Sequence, residues 1–258
     1  MSDDRAWCLP FADHFSAIAS AYATARPTYP PALFAWLSEL APARGRVWDC
    51  AAGNGQAALP LAQHFAEVVA TDASRAQIGR TPPRANVLRY AAAAHASALR
   101  DASADLVTVA QALHWLPRPA FWEEARRVLV SGGVLAVWCY GIQRIVDDSE
   151  ADRLVDHFYR EIVGPFWPPE RRLVEAGYRD LEFPFDELPA PEFRMAREWR
   201  LAEFLAYVRT WSATQRYIVD RGVDPVMELD ASLARPWGAG VRRVQWPLSL
   251  RVGRRAVS

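Results

Sequence analysis

The chain has no lysine, so all thirty of its basic residues are arginine. This rules out a Schiff-base lysine, a phosphate-loop lysine and a lysine general base. Cysteine is scarce: Cys8, Cys50 and Cys139 are odd in number, far apart and form no C-x-x-C pair. That spacing supports neither a disulfide framework nor a zinc site, so no metal is expected. Charge of either sign is not in excess: thirty basic and thirty acidic residues give a formal net charge of +0. Electrostatics therefore gives no reason to expect nucleic acid or a membrane surface as partner. No apolar run reaches the ~20 residues of a membrane span. No apolar segment follows Met1, Ser2, Asp3, Asp4 and Arg5, so no signal peptide is visible and a cytoplasmic location is expected.

At 258 residues and 51% hydrophobic content, the chain can bury one full core with room for a cap or insertion. The organising stretch runs from Val47 to Gln56, VWDCAAGNGQ. Arg46 to Asp49 read as a buried strand, Ala51 to Gly55 as a small-residue turn, and Gln56 to Phe65 as a helix. Such a strand–loop–helix places backbone N–H groups where a ligand can approach closely, and Gly53 and Gly55 leave room for it. A second strand, Glu67 to Thr71, ends at Asp72, a carboxylate placed to accept hydrogen bonds from a ribose. A loose G-x-G-x-x-A reading, Gly53 to Ala58, keeps a nicotinamide cofactor open, and so does a purely structural loop. The acid at Asp49 would repel a pyrophosphate but suits a cationic amino-acid group. A ligand with a ribose and an ammonium but no phosphate is S-adenosyl-L-methionine.

Along the chain, Phe15, Ile18, Ala19 and Tyr22 recur at helical spacing, and Pro30 and Pro31 open a helix to about Ala41. Residues 1–41 read as an N-terminal lid in which Tyr22, Arg26 and Tyr29 could cover the cofactor. Arg26 could clamp a carboxylate. Pro60 inside the helix from 56 to 65 predicts a kink or a late start. Asn86 to Tyr90 form a third strand, and the alanines from Ala91 to Ala98 could make a flat slot for an aromatic base. Asp105 to Gln111 is a fourth strand, Ser131, Gly132 and Gly133 a turn, and Val134 to Trp138 a fifth. Strands alternating with helices predict a parallel α/β sheet with right-handed crossovers. Residues 42–141 are thus a cofactor-binding core, 142–190 a helical insertion and 191–258 C-terminal strands and helices, all in one domain. Helices are expected at about 149–163, 200–214 and 224–235, and strands at Phe193 to Glu198 and Val244 to Val252.

Five segments in order resemble a known family: Ala21–Pro30 (AYATARPTYP), Trp48–Gln56 (WDCAAGNGQ), Ala70–Ser74 (ATDAS), Thr108–Trp115 (TVAQALHW) and Arg126–Val134 (RRVLVSGGV). Together they resemble class I S-adenosylmethionine-dependent methyltransferases of the type 11 group, and within it the trans-aconitate methyltransferase-like proteins. The resemblance implies a Rossmann-like seven-stranded sheet in the order 3-2-1-4-5-7-6 with strand seven antiparallel. It implies that Asp49, Gly53 and Gly55 hold the methionine end, Asp72 the ribose, Ala93, Ala94 and His95 the adenine, and the Gln111 backbone the methionine moiety. Two positions depart from the pattern. Ala51 replaces the usual first glycine, which requires ordinary backbone angles there. No acid follows strand three to bind the adenine amino group.

Methyl transfer is an in-line displacement in which proximity and alignment supply most of the rate. A base is needed only if the acceptor must lose a proton. His114, just past strand four, is the candidate for orienting the acceptor or acting as base, or it packs on Trp115 and caps the next helix. Trp115, Tyr140 and Trp167 could line a pocket for a small-molecule acceptor, and an arginine among Arg153, Arg160, Arg171 and Arg172 could read a carboxylic acid. The alternatives are a silent S-adenosylmethionine-binding domain and an NAD-type oxidoreductase.

Overall fold

The structure, a computed structural model, describes residues 26–256. The expected helix around Phe15 to Tyr22 lies outside them. Five parallel strands form the centre of the sheet: β1 (Arg46–Cys50), β2 (Glu67–Asp72), β3 (Val87–Ala91), β4 (Ala104–Ala110) and β5 (Leu129–Tyr140). Four shorter or later strands complete it: β6 (Arg144–Ile145), β7 (Asp186–Leu188), β8 (Phe193–Trp199) and β9 (Arg242–Arg254). The sheet order is β3-β2-β1-β4-β5-β9-β6, with β7 and β8 also paired to β9.

The expected order is met with β9 as the antiparallel strand beside β5 and β8 beyond it. It differs in two additions. The short β7 extends β8's position along β9, and β6 pairs with Val244 and Gln245 of β9.

Alternation along the strands divides the core in two. Val47, Val68, Ala70, Leu106, Val134, Ala136 and Trp138 face one layer, with Leu33, Phe34 and Leu37 of α1 (Pro31–Leu40) and the C-terminal helices. Trp48, Cys50, Val107, Val109, Leu135, Val137 and Cys139 face the other, with Phe121, Trp122, Ala125 and Val128 of α4 (Arg118–Val128). Both faces of β1 and β4 are therefore covered, which is why apolar residues on these strands do not simply alternate with polar ones.

Several elements differ from their expected limits. The helix after the first loop is only α2 (Ala58–Leu61). Pro60 has no N–H to give, so it is tolerated only in a first helical turn and the helix starts late. Ser131, Gly132 and Gly133 do not end the strand but bulge within β5: Ala104 faces Leu129, and pairing resumes at Leu106 with Val134. Gly132 takes φ 71° in that bulge, and the Arg254 guanidinium donates to its carbonyl at 2.7 Å.

The short α3 (Arg75–Ile78) is capped by Ser74, whose hydroxyl accepts from Gln77 N–H. The helix expected over 149–163 is α5 (Ser149–His157) running into a π-turn at Phe158–Ile162. The next, α6 (Arg171–Glu175), follows the Pro-rich bend. The helix expected over 200–214 is two, α7 (Leu201–Arg209) and α8 (Ser212–Arg221). The break falls where Trp211 is extended at ψ 136° and the Thr210 hydroxyl donates back to the Tyr207 carbonyl. The last helix is α9 (Val226–Trp237). Among the described residues, no helix is long and apolar enough to cross a membrane.

Candidate functional site

The loop after β1 has an alternating backbone: Ala51, Gly53 and Gly55 all take positive φ, at 55°, 57° and 86°. Two of the three are the residue for which this conformation is cheap. Ala51 is not, and the expectation of ordinary backbone angles there is corrected: a non-glycine residue in the left-handed region costs about 1–3 kcal/mol. Ala51→Gly is therefore expected to raise stability by about 1 kcal/mol, read as a shift in denaturation midpoint at unchanged slope.

The two glycines have different roles. A Cβ on Gly55 would stand 2.6 Å from Thr81 Cγ2, so this glycine permits packing inside the protein. A Cβ on Gly53 would meet nothing within 4 Å, so this glycine faces open space.

Asp49, next to last in β1, is fully buried. Its Oδ1 accepts a 2.8 Å hydrogen bond from the Thr108 hydroxyl, and its Oδ2 is buried with no hydrogen-bond partner among the described residues. Burial pushes its pKa up to about 7, against the lowering pull of the Thr108 hydroxyl and the Ala58 N–H, and the nearby Asp72 charge adds to the rise. Thr108 was not foreseen as a site residue. The signal was a hydroxyl inside the apolar stretch Leu106 to Ala110, which the sheet register sets directly beside Asp49.

Asp72, at the end of β2, accepts from Gly53 N–H at 2.9 Å and Ser74 N–H at 2.8 Å. Burial raises its pKa, and those two N–H groups oppose the rise. Asp72 is thus tied to the loop through Gly53, while Asp49 lies just before the loop in β1 and is tied to β4.

Gln111, at the tip of β4, also takes positive φ, 56°. Its N–H donates to the Trp138 carbonyl at 2.8 Å, and its side-chain oxygen accepts from Tyr140 N–H at 2.8 Å, so it ties the tips of β4 and β5 together. After β3, Ala93 and Ala96 form a bridge, leaving Ala94 half-buried and His95 exposed on a tight turn rather than on a helix. Tyr22 lies outside the described residues. Arg26 does not sit in the loop: it donates to the Tyr140 hydroxyl at 2.9 Å and the Thr210 carbonyl at 3.4 Å. Tyr29 is buried edge-on to Trp138, 5.5 Å between ring centroids.

His114 lies in a single 3-10 turn, Leu113–Trp115, 7% exposed and tilted against Trp115 at 4.7 Å. Its Nδ1 shares a 2.8 Å hydrogen bond with the Tyr178 hydroxyl, a partner 64 positions away that no local pattern announces. Burial, with the charges of Arg171 and Arg118, lowers its pKa to about 3, so the ring is neutral at ordinary pH. Tyr140 is buried at the tip of β5, while Trp167 is tilted against Tyr159 and Trp211, with ring centroids 4.9 and 5.8 Å away. Among the described residues, no group of three or more His, Cys, Asp or Glu could hold a metal.

A parallel sheet with a glycine cradle, a buried carboxylate oxygen lacking a donor and a second acid at the next strand tip defines a nucleoside-cofactor-binding α/β protein. Comparison with known proteins makes this specific. A family described as a methyltransferase domain matches residues 48–137. A methyltransferase-designated protein of Dictyostelium discoideum is 31% identical over 229 residues, 88% of this chain and 87% of its own. A structure from Anaeromyxobacter dehalogenans designated a type II methyltransferase is 43% identical with a TM-score of 0.84, covering 90% of this chain and 99% of that one. The chain belongs to the class I S-adenosylmethionine-dependent methyltransferases, and its cofactor is S-adenosyl-L-methionine. The residues present fit that cofactor: the orphaned Asp49 oxygen calls for a cationic donor, and the open face of Gly53 leaves space for a ligand.

Proposed function

We propose that the acceptor is a small molecule, bound beside the carboxyl ends of β4 and β5 and methylated by in-line displacement. What supports this reading is that Trp115 follows β4 and Tyr140 ends β5, two aromatic residues at the carboxyl end of the sheet, in a chain with no net charge to attract a polyanion. In this reading Asp49 Oδ2 takes the ammonium of the methionine end. The Ala51–Gly55 loop lets the backbone approach, and Gly53 gives the ligand its space. Asp72, with both oxygens already anchored to backbone N–H groups, keeps lone pairs for the ribose hydroxyls. The turn carrying Ala94 and His95 lies where the adenine would pack. Gln111 offers its carbonyl, since its N–H and side-chain oxygen are both engaged. Tyr22 and Arg26 belong to the lid, with Arg26 joining it to the acceptor wall through Tyr140.

Bound S-adenosyl-L-methionine supplies an electrophilic methyl carbon on a sulfonium that leaves with the bonding pair. The protein's part is to hold the acceptor's lone pair in line with that carbon and to exclude water. His114 is assigned to orienting the acceptor wall rather than to base work: a ring whose conjugate acid forms only near pH 3 removes protons poorly at neutral pH. Residues 142–190, which include Trp167, form the acceptor-facing insertion.

The test is release of S-adenosylhomocysteine on small-molecule pools set against tRNA, duplex DNA and unfolded protein. Turnover on small molecules alone, abolished in Asp72→Ala, is the expected result. Turnover confined to a macromolecule would overturn the reading.

A further inference from the structure

Glu124, on α4, is an acid with no part in the site described above. It is 8% exposed and pairs with both prongs of Arg127, at 2.7 and 2.8 Å. Arg127 also donates to Asp101 at 2.5 Å. The Arg127 guanidinium, helped by Ser97, holds the Glu124 carboxyl down at a pKa of about 2, so it is charged at any ordinary pH. One of its oxygens reaches off the helix: Oε1 accepts from the Ser97 N–H at 2.8 Å and from the Ser97 hydroxyl at 2.6 Å.

Ser97 closes the turn that follows β3. It is fully buried, its carbonyl accepts from the Tyr90 hydroxyl at 2.8 Å, and its Oγ accepts from the Leu99 N–H at 3.2 Å. At the other end of the turn, the Ala92 N–H donates to the Asp72 carbonyl at 3.0 Å. The segment is thus fastened at one end to the residue whose side chain holds Gly53, and at the other to α4.

Between these fastenings, the Ala94 N–H and carbonyl make no hydrogen bond with the described residues. Ala94 packs against the same core layer as Ala112, just past the tip of β4. A backbone donor and a backbone acceptor are therefore left open beside the glycine loop. Just beyond Ser97 the chain is strained: Ala98 takes φ 61° and Ala102 φ 45°. Non-glycine residues hold such angles only where their surroundings over-determine them. The Glu124–Arg127 pair is that surrounding, since Ser97 hangs on its acid and the Ala102 N–H on the Arg127 carbonyl at 2.9 Å.

We infer that Glu124 is a positioning residue for the cofactor's base: through Ser97 it sets the turn so that the Ala94 backbone reads the edge of the adenine. The anchor stands in for the acid that is absent from Ala91 to Ala94. Adenine offers an amino donor next to a bare ring nitrogen, and one carbonyl and one N–H complement that edge. A main-chain reader has no side chain to adjust, so its accuracy depends on what fixes the turn. This rests on the adenine placement proposed above and adds the residues that give the site its choice of base.

The test is calorimetric titration of the full chain with S-adenosylhomocysteine and with S-inosylhomocysteine, which differ only at the edge of the base. Inosine puts a carbonyl where the amino group stood and an N–H where the bare nitrogen stood. The wild type is expected to prefer the adenine ligand by about 10- to 100-fold, the cost of leaving a matched polar pair unmade. In Glu124→Ala the preference falls to about threefold or less, and in Ser97→Ala, which keeps the Glu124–Arg127 pair, to a value between. The loss falls on the adenine ligand, and retained binding of the inosine ligand shows that the variants are folded. Asp72→Ala weakens both ligands alike and keeps the preference.

A purely structural Glu124 would lower both affinities by one factor. A preference left intact in either variant that folds, or a wild type with no preference, would overturn the inference. Hydrogen exchange of residues 91–98 in the wild type tests the placement separately. Exchange slowed by S-adenosylhomocysteine is expected there, and unchanged exchange would overturn the placement itself.

Discussion

Asp49→Asn is expected to lower affinity for S-adenosyl-L-methionine by about 100-fold while making the ligand-free protein more stable above neutral pH. The two effects have one origin. The wild-type carboxylate is fully buried, accepts from the Thr108 hydroxyl on one oxygen and has, on the other, no hydrogen-bond partner among the described residues. Its pKa rises from 3.8 to about 7 because burial disfavours the charge. A raised acid binds its proton more tightly folded than unfolded. Its stabilising contribution is therefore complete below about pH 4 and is lost as pH climbs to about 7. At about 1.4 kcal/mol per pKa unit, the ionised carboxylate costs the empty protein on the order of 2–4 kcal/mol at pH 8.

Asparagine keeps the shape and the Thr108 bond but cannot ionise. The variant should gain stability relative to wild type as pH rises from about 4 to about 7, and show the same stability below that window. Thermal unfolding of both proteins across pH, with cofactor titrations alongside, checks the pair of effects. A variant that loses stability at pH 8 would show that the carboxylate is compensated inside the protein.

Gly55→Ala is expected to destabilise the fold by roughly 3 kcal/mol or more, combining backbone strain with overpacking. The residue has φ 86°, and the added methyl would lie 2.6 Å from Thr81 Cγ2 and 3.2 Å from Thr81 Oγ1. Thr81 itself is 1% exposed and has little room to retreat. The Cγ2 clash can be separated from the strain. Combining Gly55→Ala with Thr81→Ser removes the offending carbon and should recover about half of the loss, leaving the positive-φ penalty. Chemical denaturation of the two single variants and the double variant closes the cycle. Additive losses would show that Thr81 and the new methyl do not meet.

The central sheet was legible because its signals are local. Val47, Trp48 and Cys50 form an apolar run beside a small-residue loop, and Asp72 follows the next such run at the spacing a parallel pair requires. Glycine and proline marked the turns but not their consequences. Pro60 shortened α2 to one turn, and Gly132 supported a bulge instead of a strand end. The strain at Ala51 could not be read at all, because alanine carries no mark of the backbone angle it is forced to take.

The groups that tune the site were hidden for a related reason: they are partnered over long separations. Thr108 reaches Asp49 across 59 positions and Tyr178 reaches His114 across 64. Arg171 was visible as one of several arginines in the insertion. Only the fold shows that its face is stacked on Trp167 while Arg160 is spent on Asp156. The C-terminal half was hardest, since its helices are defined by how Tyr207 packs on Trp211 and Trp246, and Phe204 on Trp237, rather than by a repeating pattern.

In the proposed site, the buried Asp49 carboxylate is the counter-charge for a cationic cofactor. The most direct test of this role is calorimetric titration of S-adenosyl-L-methionine at pH 6.5 in two buffers of different ionisation enthalpy. An acid with a pKa of about 7 is mostly protonated in the empty protein at that pH, and a bound cation would drive the proton off. Release of about three-quarters of a proton by the wild type and none by Asp49→Asn is the expected result. Binding whose enthalpy is the same in both buffers, or equal proton release by the variant, would contradict it.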